Sequence, residues 1–290
     1  MIEIPDVVLI AGPTASGKSA LAINRARELG GVIVNADSMQ VYDGLQIVTA
    51  RPGKADLEAA RHELYGHVPP SQSHSVAKWL EEARRVFLRL RDEGRVAIFT
   101  GGTGLYFAAL LNGISDIPEP EAEVRKYWRQ RGLEAPAGLY AALQKRDPEA
   151  AGMLRPSDTQ RIIRALEVFD TTGKSIQHFH RESREQSLLH AMRVESHLVS
   201  PPRAILHQRI NQRFEAMIAS GALEEVEKLM TLGLPAYLPV MKAIGVPQLA
   251  AHLRGEIRLD EAVTLAQAAS RQYAKRQTTW FRNQLPGFSR

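Results

Sequence analysis

Gly12-Pro13-Thr14-Ala15-Ser16-Gly17-Lys18-Ser19 satisfies the pattern G-x-x-x-x-G-K-[ST] in full. Before it, Val7-Val8-Leu9-Ile10-Ala11 is a short apolar run of strand type; after it, Gly17 to Leu29 carries helix-forming residues up to a Gly30-Gly31 stop. A strand that turns through a glycine-rich loop into a helix leaves the chain few choices. Backbone N–H groups face inward where the helix begins and cradle an anion of the phosphate type. Lys18 adds a cation, and Ser19 a hydroxyl able to ligate Mg²⁺. The motif leaves open whether the bound groups are the tail of ATP or another diphosphate.

The segments that follow repeat the rhythm. Val32-Ile33-Val34-Asn35-Ala36-Asp37 reads as a second buried strand, and Val96-Ala97-Ile98-Phe99-Thr100 as a third, ended by Gly101-Gly102. Between them, Val76 to Asp92 has helical spacing through Val76, Leu80, Ala83, Phe87 and Leu90. His197-Leu198-Val199-Ser200 reads as a further strand, and beyond Ala204 the pattern is helical, punctuated by Gly221, Gly233 and Gly255. This alternation specifies βαβ units and a mostly parallel sheet. The expected fold class is therefore α/β, a P-loop NTPase-like parallel sheet core flanked by helices. From residue 115 to 196, opened by Pro118 and Pro120, short helices and a polar loop from Arg181 to Ser187 replace the rhythm. We expect a helical insertion domain at 115–196 within a core domain formed by 1–114 and 197–290.

Composition narrows the chemistry. Among 290 residues there is no cysteine, which excludes thiolate nucleophiles, disulfides and Cys-ligated metals, so any metal sits on oxygen or histidine. No run approaches the roughly 18 to 20 apolar residues of a membrane span. The N-terminus has no basic region ahead of an apolar segment, from which a cytoplasmic protein is expected. Residues 201–290 carry 12 basic and 7 acidic side chains, whereas the rest of the chain is balanced. From Arg271 to Arg282 cations alternate with Tyr273, Trp280 and Phe281, a pattern suited to phosphate backbones or to a solvated basic helix face.

Asp37, at the end of the second strand, falls on the carboxyl edge where open α/β sheets bind ligands. Its carboxylate can hold Mg²⁺, accept a proton from a nucleophile, or merely cap a turn. Thr103, in Gly101-Gly102-Thr103-Gly104-Leu105-Tyr106, follows the third strand in the same way and can donate to a leaving oxygen or cap the next helix. Arg161 and Arg164 share one helical face, where they can grip phosphates or pair with Asp158 and Glu167. Asp170-Thr-Thr-Gly173 reads as a helix end. His178, His180, His190 and His197 lack the spacing of a helical ligand pair.

Taken together, the phosphate loop, Asn35-Ala-Asp37-Ser38-Met39-Gln40-Val-Tyr42, Gly101-Gly-Thr-Gly-Leu-Tyr106 and Gln160-Arg-Ile-Ile-Arg-Ala-Leu-Glu-Val168 resemble the bacterial tRNA dimethylallyltransferases. So do Leu206-His-Gln-Arg-Ile-Asn-Gln-Arg213-Phe, Ala243-Ile-Gly245 and Lys275-Arg-Gln-Thr-Thr-Trp-Phe-Arg282. The resemblance implies transfer of a dimethylallyl group from dimethylallyl diphosphate to N6 of the adenosine just 3′ of a tRNA anticodon. It implies that Gly12 to Ser19 hold the diphosphate, with Mg²⁺ at Ser19, and that Asp37, Thr103 and Arg213 are catalytic. It further implies tRNA contacts at Asp37, Ser38, Met39 and Gln40, and at Arg161, Ile162, Ile163, Arg164 and Ala165. A monomer without membrane attachment is expected. This chain departs from the family pattern at Arg51, where lysine is usual, at Val246-Pro247, and at Arg61-His62, where a histidine pair is usual. The competing readings are a P-loop small-metabolite or nucleotide kinase, with Arg161 and Arg164 as lid arginines, and a non-catalytic RNA-binding module, which leaves Lys18 and Asp37 without a task.

Overall fold

The first strand, β1 (Val7–Ala11), is buried at all five positions and runs straight into the phosphate loop. It is followed by α1 (Lys18–Leu29), which Gly30 ends in a left-handed cap, and by β2 (Val32–Asn35). Next come α2 (Lys54–Ala59), a two-residue strand β3 (His62–Glu63) and α3 (Val76–Asp92), whose N-terminus is capped by Ser75 accepting from the Lys78 N–H. β4 (Ala97–Gly101), again buried throughout, leads into α4 (Gly104–Asn112). The computed structural model describes residues 4–182 and 187–289, so residues 183–186 of the expected polar loop lie outside the described residues.

The chain forms two compact units, residues 1–111 with 188–290, and residues 112–187. The second unit is helical: α5 (Ala122–Glu134), α6 (Leu139–Arg146), α7 (Pro148–Met153), α8 (Thr159–Thr172) and α9 (Ile176–Glu182). Its core gathers Trp128, Leu139, Leu143, Ile162 and Leu166. The indole N–H of Trp128 donates to Asp170 at 2.8 Å, and Arg146 lies over its ring. Asp158 caps α8, and Gly173 closes it at φ +69°, so Asp170-Thr-Thr-Gly173 is a helix end.

The first unit resumes with β5 (Val194–Leu198), α10 (Arg203–Ala219), α11 (Ala222–Thr231), α12 (Val246–Leu253) and the long α13 (Leu259–Gln284). The strands form one parallel sheet in the order β3-β2-β4-β1-β5. β1, β2 and β4 read as unbroken apolar runs because both of their faces are covered. Two expectations are corrected by the pairing. β5 spans 194–198 rather than 197–200, because it lies residue for residue opposite Val7–Ala11. Its polar residues at this sheet edge, Glu195 ion-paired to Arg25 and His197 bonded to Glu195 at 2.6 Å, hid it from an apolar-run criterion. β2 stops at Asn35, whose side chain bonds both the N–H and the C=O of Asp37, at 2.8 and 3.0 Å, and turns the chain there.

β2, β4 and β1 are neighbours, so the segments leaving their carboxyl ends meet on one edge. The closeness is enforced by a glycine. A Cβ on Gly101 would lie 2.0 Å from the carbonyl oxygen of Ala36, which is backbone and cannot yield. Gly101→Ala is expected to lower stability by about 1–3 kcal/mol. Gly287→Ala, where nothing lies within 4 Å, is expected to stay within about 0.5 kcal/mol of the parent. Urea unfolding midpoints check both, and equal midpoints for the two variants would contradict the close approach.

Candidate active site

The phosphate loop departs from ordinary backbone at two positions, Ala15 at φ +60° and Gly17 at φ +99°. Gly12 has no room for a side chain, since a Cβ would meet Ser16 Oγ and the Val199 carbonyl at 2.7 Å each. The amides that open α1, from Lys18 onward, are those for which a helix has no internal acceptor, and they end the loop as anion donors. Ser16 Oγ is buried beside them with no hydrogen-bond partner among the described residues. From α10, Arg209 donates to the Ser16 carbonyl at 3.3 Å.

Lys18 Nζ donates to the Pro13 carbonyl at 3.3 Å. Desolvation pulls its pKa down to about 8, and the Arg213 charge pulls the same way against the opposing pull of Asp37. Burial likewise holds the Arg213 guanidinium below its ordinary range, with Asp37 again opposing. One carboxylate and two desolvated cations thus act on one another around the cradle.

Asp37 lies two residues beyond β2, and its Oδ1 accepts from the Met39 N–H at 3.0 Å. The Ser38 N–H donates to Thr103 Oγ1 at 2.9 Å, and the Thr103 hydroxyl donates to Ser38 Oγ at 3.2 Å. Thr103 therefore ties the turn after β2 to the turn after β4. A cavity of about 280 Å³ opens here, lined by Thr14, Ala15, Asp37, Ser38, Met39 and Arg213 among the residues expected from sequence. Val48, Thr49, Ala50, Lys242, Tyr273 and Arg276 line it as well.

Other expected residues take different places. Lys18, Ser19, Thr103 and Gln40 are not among the lining residues. The Gln40 amide donates to the Thr49 and Ala50 carbonyls at 2.8 and 2.9 Å, so it holds the cavity wall. Arg161 to Ala165 lie on α8 in the other unit. There Ile162, Ile163 and Ala165 face that unit's own core. Their helical period turns them inward and leaves Arg161 and Arg164 outward, paired with Asp158 at 3.3 Å and Glu167 at 3.9 Å. At the departures from the family pattern, Pro247 sits in the first turn of α12. The Arg51 guanidinium lies against Gly66 and donates to the Tyr42 carbonyl at 3.2 Å, away from the cavity lining.

Two residues escaped the sequence reading. Gln277, buried on α13, accepts from the Thr14 N–H at 3.0 Å and donates to the Gly102 carbonyl at 2.8 Å. Its place inside a basic, aromatic segment was the only signal. Glu225 on α11 accepts from the N–H groups of Gln46, Ile47 and Val48 at 2.6 to 3.1 Å, and no local pattern announced it.

The sequence matches the model of the family described as IPP transferase over residues 40–284, and that described as isopentenyl transferase over residues 5–69. The tRNA dimethylallyltransferase of Rhizobium meliloti is 52% identical across 97% of this chain and 92% of its own. That of Agrobacterium fabrum is 51% identical across 97% and 94%. Among solved structures, the full-length tRNA isopentenylpyrophosphate transferase of Bacillus halodurans superposes with a TM-score of 0.68 at 32% identity, covering 97% of this chain and 88% of that one. A eukaryotic dimethylallyltransferase acting on tRNA superposes at 0.80 with 28% identity, covering 96% and 70%. With a phosphate cradle and a carboxylate joined at one cavity, and with these matches over nearly its whole length, the chain belongs to the IPP transferase family of tRNA dimethylallyltransferases.

Proposed function

We propose that this chain transfers a dimethylallyl group from dimethylallyl diphosphate to N6 of the adenosine 3′ of a tRNA anticodon. The observation that carries the reading is the shared cavity, in which Asp37 faces the same space as the phosphate-loop residues Thr14 and Ala15 and the cation Arg213. In the reaction the allylic C–O bond breaks, an N6–C bond forms, the bonding pair leaves on the diphosphate, and the N6 proton passes to the Asp37 carboxylate. Adenine's exocyclic amine is a weak nucleophile, so a base within reach as the bond forms contributes directly to rate. The leaving diphosphate gains negative charge, which the amides opening α1, Lys18 and Arg213 are arranged to stabilise. Thr103 keeps Ser38 and Asp37 in register with the turn after β4, and Ser38 and Met39 face the extracted base.

Ser19 in the first turn of α1 offers a hydroxyl beside the cradle, and an all-oxygen donor set of serine and diphosphate suits Mg²⁺. When bound there, Mg²⁺ would add positive charge at the leaving group. Arg161 and Arg164 are cations that tRNA phosphates could take over from Asp158 and Glu167. No helix among the described residues is long and apolar enough to cross a membrane. A tRNA substrate accords with a cytoplasmic place of action.

The test incubates the protein with dimethylallyl diphosphate, Mg²⁺ and tRNA lacking the modification, then digests the RNA and reads nucleosides by mass spectrometry. N6-isopentenyladenosine is expected with the parent protein. Asp37→Ala is expected to cut the rate about 10²–10⁴-fold with diphosphate affinity nearly intact. Lys18→Ala is expected to cut it by about 10²–10³. No prenylated nucleoside from well-folded protein, alongside phosphoryl transfer from ATP to a small hydroxyl acceptor, would overturn the reading in favour of a kinase.

Diphosphate binding carries a pH signature. The Lys18 ammonium attracts the anion and its neutral amine does not; in the empty cradle that proton is lost as pH rises through about 8. Calorimetry with a non-reactive dimethylallyl diphosphate analogue is expected to show affinity steady below that pH and falling above it, by up to about tenfold per unit. A Lys18→Met protein is expected to show a weaker, flat profile. A flat profile in the parent would remove Lys18 from the binding site.

A further inference from the structure

Outside the cavity, three side chains of metal-ligand type converge on one point. Glu82 Oε2, on the second turn of α3, lies 2.9 Å from His67 Nε2 and 3.1 Å from His74 Nε2. One ligand atom from each of the three residues lies within 4.8 Å of the other two. The two imidazoles meet edge to face with centroids 5.8 Å apart, and the Nε2 of each lies against the same carboxylate oxygen. We propose that His67, His74 and Glu82 form a binding site for a divalent cation of the zinc class.

The donor set is the first argument. Two imidazole nitrogens and one carboxylate oxygen make a known three-ligand zinc set, with a fourth position open to water. Around an ion with ligands at about 2.0–2.1 Å, tetrahedral neighbours stand roughly 3.3 Å apart. The observed 2.9 and 3.1 Å need only a small expansion to reach that spacing. Imidazole in the set favours zinc, nickel or copper over magnesium or calcium, which take oxygen donors.

The supports are the second argument. Glu82 stands on a seventeen-residue helix. His74 directly precedes the helix cap Ser75, its side chain is only 5% exposed, and its N–H donates to the Tyr42 hydroxyl at 3.1 Å. His67 is 31% exposed and Glu82 22%, which leaves the point reachable from solvent. A cation there would clasp the segment between β3 and α3 onto α3. That segment is already bonded to the acceptor side of the cavity wall: the N–H of Gly66 donates to the Gln40 carbonyl, and those of His67 and Val68 to the Val41 carbonyl, at 2.9 to 3.0 Å. The site is thus placed to stiffen the stretch carrying Ser38 and Met39, with a structural rather than chemical task.

The test uses the full chain freed of metal by a chelator and titrated with zinc against a chromophoric competitor, with cobalt in a parallel series. One zinc per chain is expected, and cobalt is expected to give the visible absorption of a tetrahedral centre. His67→Ala and Glu82→Gln change partly exposed side chains; each is expected to weaken zinc at least tenfold and to abolish the cobalt band while melting like the metal-free parent. Ser19→Ala is expected to keep both signals, which separates this site from any ion at the cradle. Absence of zinc binding at micromolar concentrations would overturn the proposal. So would undiminished binding in both variants, which would locate the ion elsewhere.

Discussion

The buried amide of Gln277 fastens the end of the chain to its beginning. Its oxygen accepts from Thr14 in the phosphate loop and its nitrogen donates to Gly102 after β4, so the amide can be oriented only one way. Both partners are backbone groups, and leaving either unpaired in the interior costs about 1–3 kcal/mol. The contact also dictates a neighbour, since a Cβ on Gly102 would lie 2.2 Å from the amide nitrogen. With the Thr14 N–H committed to Gln277, the anion cradle is left to the amides that follow it. The long C-terminal helix therefore braces the phosphate loop, although its own sequence reads as a basic surface.

Around that frame the charges are arranged so that a ligand completes them. Lys18 and Arg213 are both desolvated, which is unfavourable for a cation, and Asp37 is the anion that acts on both. A diphosphate entering the cavity brings the missing negative charge and raises the tendency of Lys18 to hold its proton. The diphosphate then shares the role of counter-charge with Asp37 at the stage where, in the proposed reaction, Asp37 takes a proton. In the proposed reaction the same three residues thereby serve binding and chemistry in turn.

The parts legible in sequence were those with local cause. The phosphate loop declares itself through glycines whose φ or lack of Cβ the turn requires, and α3 declares itself through an apolar stripe, with bounds that agree to the residue. β5 was misplaced because an edge strand needs fewer apolar residues, and its limits are set by β1 rather than by its own composition. The turn at Asp37 was read as strand because the apolar run Val32 to Val34 was carried on through Ala36, whereas the Asn35 side chain bonds the Asp37 backbone and ends the strand there. The resemblance names 161–165 as one segment, and the helix divides its side chains, with Ile162, Ile163 and Ala165 in the core and Arg161 and Arg164 in surface ion pairs. Gln277 and Glu225 could not be found locally at all, since their partners are 263 and up to 179 residues away.

Glu225 shows what that distance accomplishes. Three successive N–H groups from Gln46 to Val48 point at one carboxylate, a geometry that would be costly if the charge were absent. The strap so anchored continues through Thr49 and Ala50, whose carbonyls take both bonds of the Gln40 amide. Ala50 holds φ +52°, a conformation that a short alanine tolerates with less strain than a branched residue. Gly245 completes the junction: at φ +103° and with Val48 Cγ1 2.9 Å from where a Cβ would stand, it lets the segment before α12 close against the strap. This wall of the cavity is thus built from a strap held by Gln40 and Glu225, whose side chains are not among its lining. In the proposed reaction, substitutions at Gln40 or Glu225 therefore act on the shape presented to the base, while the diphosphate side, fastened through Gln277, stays in place.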